Sequence, residues 1–421
     1  MTDTPHDRGW VSKILFPAGS PFLAVIVLTG LTTLSAQAQT FTVLHTFSGP
    51  DGASPAADLI LDSAANVYGT STGGGAFGFG TVFEVDRTGK ETVLYSFKGG
   101  QDGGNPRATL AKDSSGNLYG TTYYAGNLNL CPDAVNPGCG VVFKLDKHGH
   151  ETVLHTFTAR ADGAYPAGRL VLDAAGNLYG TTRMGGDSSC TEFPGGCGVV
   201  FKVAANGHFS VLYAFAHGGQ DGRYPWSGLM QDAQGNLYGT TPESGKGICC
   251  GTVFKVTKDG HETVLHKFTG AHAGLHDGWD SRAGLVLDTK GNLFGTTSRG
   301  GTFDYGTVFK VDKNGKESVL ITFADRRAGG LPYSDLVLDA NSNLYGTAAM
   351  GGRYGSGNVF KTNETGKEIV LHQFTGAADG AIPLAGLVQD THGNFYGVTF
   401  QGGNLAGCMT AGCGTVFRLT P

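Results

Sequence analysis

The sequence predicts an all-β protein, a seven-bladed β-propeller of four-stranded blades. Three observations predict it: a glycine-rich, charge-poor composition, one unit repeated seven times, and an offset between the first and last strands. Glycine supplies 70 of 421 residues, against a usual share of about 7%. Charged residues make up 15%, where about 25% is ordinary. A coiled coil, a helical solenoid and a charged disordered chain are thereby excluded. Collagen is excluded because the glycines keep no three-residue period. A net charge of −5 and a pI near 6.2 leave no basic footprint for nucleic acid.

Four blocks recur seven times each. N-L-Y-G-T-T and its variants begin at Asn66, Asn117, Asn177, Asn236, Asn292, Asn343 and Asn394. G-T-V-F begins at Gly80, Gly140, Gly198, Gly251, Gly306, Gly357 and Gly414. V-L-x-x-F starts at Val43 and ends its series at Val370, and an apolar run closes on an Asp from Asp62 to Asp390. Each unit reads as four short strands separated by glycine turns: A (ending in the Asp), B (NLYGTT), C (GTVF) and D (VLxxF). About 50 residues per unit, repeated in this way, are the signature of a propeller.

The A–B turn, D-x-x-G-N, needs a positive φ that Gly116, Gly176, Gly235, Gly291 and Gly393 supply, with Ala65 and Ser342 as the exceptions. A glycine inside every strand B, such as Gly69, predicts close approach of a neighbouring backbone or aromatic ring. Strand D is seen first, at Val43, and strand C last, at Gly414. The N-terminal strand is therefore expected to complete the final blade beside the C-terminal one, which closes the ring and removes an exposed edge.

The pattern DxxGNLYGTT, a glycine loop, then GTVFKxxxxGxETVLxxFxGxxDGxxP resembles the GloVer-type tandem-repeat proteins of bacteria, a choice-of-anchor family. The resemblance covers nearly the whole chain after residue 38. It implies a propeller fold and export, and it carries over no catalytic residues. The C-terminal surface anchor that varies among that family is not seen here. The strand order is also similar, more loosely, to NHL-type propeller repeats.

Residues 1–38 read as a secretory signal: Arg8 and Lys13 precede an apolar run from Phe22 to Leu34, and Ala36-Gln37-Ala38 is a small-x-small cleavage pattern. Pro17 and Pro21 leave too short an apolar run for a membrane-spanning helix, which needs about 20 residues. The expectation is cleavage after Ala38, one propeller domain over 39–421 with no membrane span, and a monomer that is secreted, periplasmic or on the cell surface.

Strands alternate in direction, so the A–B and C–D turns share one face of the ring and the B–C and D–A loops share the other. Length variation is confined to the second face, where binding is expected. Its D–A loops repeat D-G-x-x-P, with Asp51, Asp102, Asp162, Asp221, Asp277 and Asp379, and Ala328 as the exception. Carboxylates near a channel mouth suit a hard cation, but a residue in nearly every blade reads first as framework. The same reasoning makes His45, His155, His266 and His372 packing residues between blades, and His148, His150 and His261 solvated turn residues.

Departures from the repeat are more informative. Trp226 and Trp279 both fall in D–A segments of adjacent blades, amid Arg223, Tyr224, His272, His276, Asp277, Asp280 and Arg282. Aromatic faces beside Arg and carboxylate groups grip a sugar or a peptide; against that, both Trp could simply cap their blades. All eight cysteines precede strand C. Cys131 with Cys139, Cys190 with Cys197, and Cys408 with Cys413 read as loop disulfides, each stabilising by roughly 2–2.5 kcal/mol. No C-x-x-C pair supports zinc. Cys249 and Cys250 are adjacent and leave three readings open: a vicinal disulfide, free thiols or intermolecular bridges.

No G-x-S-x-G, H-E-x-x-H or P-loop is present, and no cofactor or metal is expected. The leading expectation is a non-catalytic binding or scaffold propeller for an extracellular glycan, peptide or surface partner. The alternative is a channel-mouth enzyme, a polysaccharide lyase, glycoside hydrolase or lactonase-like hydrolase. It would use a cation held by the D-G aspartates.

Overall fold

Glycine turns every few residues leave no stretch long enough for a helix, and the described chain has none. The structure, a computed structural model, describes residues 39–421 apart from 132–136, 191–194, 217–220, 245–249, 271–276, 325–328 and 409–410. Blade one runs from strand A (Ile60–Leu61) through B (Val67–Gly73) and C (Thr81–Val85) to D (Glu91–Ser96). The same A-B-C-D order recurs in all seven blades. Blade seven contains Val388–Gln389, Phe395–Thr399 and Thr415–Thr420, and its fourth strand is the N-terminal Thr40–Thr46. That strand runs antiparallel to Thr415–Thr420 from Thr40↔Thr420 to Thr46↔Thr415, with a bulge between Val43 and His45. Every other C–D pair carries its bulge at the same place, as between Val82 and Phe83, so the N-terminal segment is a strand D like the rest.

Aromatic packing joins the blades. The glycine of strand B faces the phenylalanine of strand C directly, as Gly69 does Phe83. A Cβ at Gly69 would lie 2.6 Å from the ring and 2.7 Å from Leu59. The close approach expected of this glycine is thus to an aromatic ring of its own blade. That ring in turn meets the last phenylalanine of the preceding blade edge to face. The seam from blade seven to blade one is Phe47–Phe83 at 5.0 Å, and that from six to seven is Phe374–Phe417 at 5.4 Å. Such pairs contribute about 0.5–1.5 kcal/mol beyond their buried area.

The A–B turns are built as their sequence requires. Asp62 accepts hydrogen bonds from the backbone N–H of Ala64 and Asn66 through one oxygen, and from the Asn66 amide and Tyr68 hydroxyl through the other. The glycine position is left-handed, at φ 87° for Gly116, and Ala65 and Ser342 adopt it at 63° and 62°.

On the opposite face the D-G-x-x-P segment does more than turn. It pairs with the end of strand B as a short extra strand or bridge, for example Ala53↔Gly73 and Pro55↔Ser71. The residue before the proline is left-handed without being glycine, from Ser54 at 55° to Ile382 at 53°. This turns its N–H toward the preceding blade, where Ser54 donates to Cys413 O and Ile382 to Ser356 O. The proline then rests on the glycine that opens the preceding strand C; a Cβ at Gly80 would lie 2.7 Å from Pro106 Cδ. Cys131–Cys139, Cys190–Cys197 and Cys408–Cys413 are disulfides. Cys250 is disulfide-bonded too, which removes the free-thiol reading for it; Cys249 lies outside the described residues.

Candidate functional site

Three residues separate the proline of D-G-x-x-P, replaced by Ser281 in blade five, from the buried leucine that precedes strand A. An extended chain alternates its side chains, so the first and third of these share a side. The first is Ala56, Arg107, Ala167, Trp226, Arg282, Tyr333 and Leu384 in blades one to seven, and all seven line one cavity of about 270 Å³. The third is Asp58, Thr109, Arg169, Gly228, Gly284, Asp335 and Gly386. Arg169 of blade three comes within 3.6 Å of Asp335 of blade six. Blades on opposite sides of a ring meet only at its axis, so this third position floors the cavity at the central channel. The middle residue is always small, and strand B ties it to the ring: Thr181 Oγ1 donates to Ser227 O and Thr347 Oγ1 to Ala385 O.

The floor is charged. Asp58 and Asp335 are hydrogen-bonding neighbours, and each carboxylate also accepts a backbone N–H, from Gly386 and Gly284 respectively. Glycine is required at both places, since a Cβ at Gly284 would lie 2.8 Å from the Asp335 carboxylate. Burial, and then the charge of Asp335, push the Asp58 carboxyl up to about 7; Arg169 and the Gly386 N–H pull the other way without offsetting this. Asp58 therefore keeps its proton until the pH approaches about 7.

Above the floor the wall is asymmetric. Arg282 lies 5.7 Å from the Trp226 ring and 5.8 Å from that of Tyr333. Arg183 covers Trp226 at 5.2 Å and donates to the Tyr123 hydroxyl, while Arg107 stands 5.0 Å over the Tyr123 ring. Arg107, Trp226, Arg282 and Tyr333 of blades two, four, five and six thus line the cavity, Arg183 and Tyr123 contact Trp226 and Arg107 without lining it, and Leu384, Ala56 and Ala167 supply an apolar part of the wall. Asn105 and Asp280 each hold an arginine Nε, of Arg107 at 2.6 Å and Arg282 at 2.8 Å. Both arginines line the cavity.

The structure divides the residues that sequence had grouped. Trp226 and Arg282 line the cavity, and Asp280 positions Arg282. Trp279 does not line it; its indole N–H donates to Asp304. Arg223 is buried against Glu243 at 2.8 Å, and Tyr224 is buried as well. Asp277 is taken up by the Thr269 N–H and hydroxyl. His272 and His276 lie outside the described residues. The other D-G aspartates are likewise engaged away from the axis: Asp51 by His45 and Ser48, Asp102 by Tyr95 and Lys98, Asp162 by His155 and Thr158, Asp221 by Tyr213, and Asp379 by His372 and Thr375. None of them lines the cavity, contrary to the expected position at the channel mouth. Sequence reasoning missed Arg107, Tyr333, Asp58, Arg169 and Asp335. Their signal was a repeat position of fixed spacing and changing residue type.

A family model for the Gloeobacter/Verrucomicrobia repeat matches residues 30–193, 136–337 and 249–421. The chain belongs to this repeat family. No curated protein matches it. Among solved structures, this family member is similar to virginiamycin B lyase from Staphylococcus aureus, with 12% identity, TM-score 0.57, and coverage of 91% of this chain and 99% of that one. It is also similar to the extracellular domain of a hybrid two-component system from B. thetaiotaomicron, with 13% identity, TM-score 0.54, and coverage of 91% and 41%. At these identities the likeness is one of fold. The disulfides place this member of the repeat family in an oxidising compartment.

Proposed function

We propose that this protein is an exported, non-catalytic binding propeller that takes a small ring-bearing ligand, such as a saccharide unit of an extracellular glycan, at the mouth of its central channel. Export would follow cleavage after Ala38. The observation that supports the reading is the convergence of Trp226, Arg282, Tyr333 and Arg107 on one axial cavity. A half-buried indole offers a flat apolar face, and flanking guanidinium groups offer directed donors. A volume of about 270 Å³ suits one ring, near the lower end of ligand pockets, which begin at about 300 Å³. Residues 39–421 probed on a glycan and peptide array test this: the expected hit is lost in Trp226→Ala and kept in Trp279→Ala. A hit that survives Trp226→Ala removes the cavity from the account.

A second reading is favoured by the Asp58–Asp335 pair. A carboxyl raised to about 7 beside a second carboxylate is suited to proton transfer, so a channel-mouth enzyme would draw on these rather than on the D-G aspartates. Turnover of an array ligand that stops in both Asp58→Asn and Asp335→Asn, with binding retained, would establish it. Unchanged ligand after prolonged incubation rejects it.

A further inference from the structure

Three repeat positions recur at the seams between blades: a residue late in strand D, the Asp of the following D-G, and a residue at or next to the start of the next strand D. At two seams the third position is phenylalanine, and its ring covers the histidine: Phe209 on His155 and Phe41 on His372, both at 3.7 Å and within 9° of parallel. At two others the first position is tyrosine, whose hydroxyl donates to the aspartate, Tyr95 to Asp102 and Tyr213 to Asp221. Ile321 removes the chemistry from a fifth. Only the seams from blade seven to one (His45, Asp51, Glu91) and from four to five (His266, Asp277, Glu317) combine imidazole with two carboxylates.

The ring-closing seam is the better formed. One ligand atom each from His45, Asp51 and Glu91 lies within 4.8 Å of the other two. His45 Nε2 stands 3.0 Å from Asp51 Oδ2, whereas His266 Nε2 stands 3.8 Å from Asp277. The other Asp51 oxygen is occupied by the Ser48 N–H and hydroxyl, which fixes the carboxylate with Oδ2 turned to the histidine. Glu91 Oε1 is buried and has no hydrogen-bond partner. The same oxygen is without a partner in Glu151, Glu262 and Glu317, but among the described residues only here do an imidazole and two carboxylates bring ligand atoms within 4.8 Å of one another, the donor set of a cation site.

We propose that His45, Asp51 and Glu91 bind one divalent transition-metal ion of the zinc class, which pins the N-terminal strand to blade one. One imidazole and two carboxylates suit zinc, and three protein ligands leave a position for water. The metal would take the place of the His45–Asp51 hydrogen bond, with His45 ligating through Nε2 and keeping its one N–H on Nδ1. Ser48 is a positioning residue, because it holds Asp51 without reaching the metal. This site is independent of the channel mouth.

Untagged residues 39–421, stripped with chelator, are titrated with Co²⁺ followed by visible ligand-field bands, and with Zn²⁺ followed by calorimetry and thermal unfolding. One saturable site per chain and a rise in Tm with Zn²⁺ are expected. His45→Asn and Glu91→Gln should abolish the bands and the Tm rise, His266→Asn should leave both intact, and Ser48→Ala should weaken binding about tenfold. Circular dichroism of the His45→Asn chain shows that it is folded, and Glu91→Gln supplies the same test if it is not. No saturable binding, or bands and a Tm rise that persist in His45→Asn, overturns the proposal.

Discussion

Asp58 sets a pH signature for the axial site. Its carboxyl is raised from 3.8 to about 7 in the folded chain, mainly by burial and secondarily by Asp335. A group raised on folding contributes stability in full below its unfolded pKa, and that contribution is lost as pH rises through the folded value. Stability should therefore fall between about pH 4 and 7. Asn keeps a donor for Asp335 without a charge, so Asp58→Asn should flatten this dependence and raise stability at pH 8 by about 1 kcal/mol. Denaturant unfolding of both chains at pH 5 and pH 8 measures it, and parallel pH profiles would contradict it. The two tryptophans separate at the same scale. Their shared absence from the repeat drew attention to both, yet only Trp226 occupies the position after the proline that faces the axis. Trp279 lies two residues before Ser281 and pairs outward with Arg299. What distinguishes them is a place in the repeat three residues apart, on either side of the Pro225 and Ser281 position, and no composition or charge pattern carries that.

Strands B and C were legible element by element because each must solve the same packing problem. The glycine of strand B leaves room for the ring opposite, and Gly239 would place a Cβ 2.6 Å from Phe254 Cζ. Gly239→Ala should cost about 1–3 kcal/mol as an overpacked core, read as a lower denaturation midpoint with an unchanged m-value. A neutral result would mean that the ring has free space to move into. The seams carry their own titration. Glu151 and Glu262 are raised from 4.5 to about 7, first by burial and then by the neighbouring Asp102 and Asp221. Their contribution is complete below about pH 4.5 and lost through about pH 7. Glu151→Gln with Glu262→Gln should raise Tm at pH 8 and leave it unchanged at pH 4, with about 1 kcal/mol per site after allowance for solvent screening. The sequence hinted at these seams: the one unit without the D-G aspartate, at Ala328, is also the one with Ile321 in the histidine and tyrosine slot. A donor is kept where its acceptor is kept.

At the scale of the whole molecule, seven like units and an N-terminal strand D without its own blade dictate a closed ring, and the pairing of Thr40–Thr46 with Thr415–Thr420 provides the closure. Beginning the chain at residue 48 should abolish cooperative unfolding, because Phe83 loses its edge-to-face partner Phe47 and strand C of blade seven becomes an open edge. The working site was harder to read for a physical reason. Loop-length variation points to the outer rim, whereas the channel mouth is lined by the most regular segment of the repeat. Diversity there lies in Ala56, Arg107, Ala167, Trp226, Arg282, Tyr333 and Leu384, at constant spacing. The most direct measurement is the fluorescence of Trp226 in the Trp279→Phe form of residues 39–421, titrated with a ligand taken from the array. A saturable spectral change that disappears in Arg282→Ala is the predicted result. Saturable binding by calorimetry with the Trp226 spectrum unmoved would contradict recognition at the channel mouth.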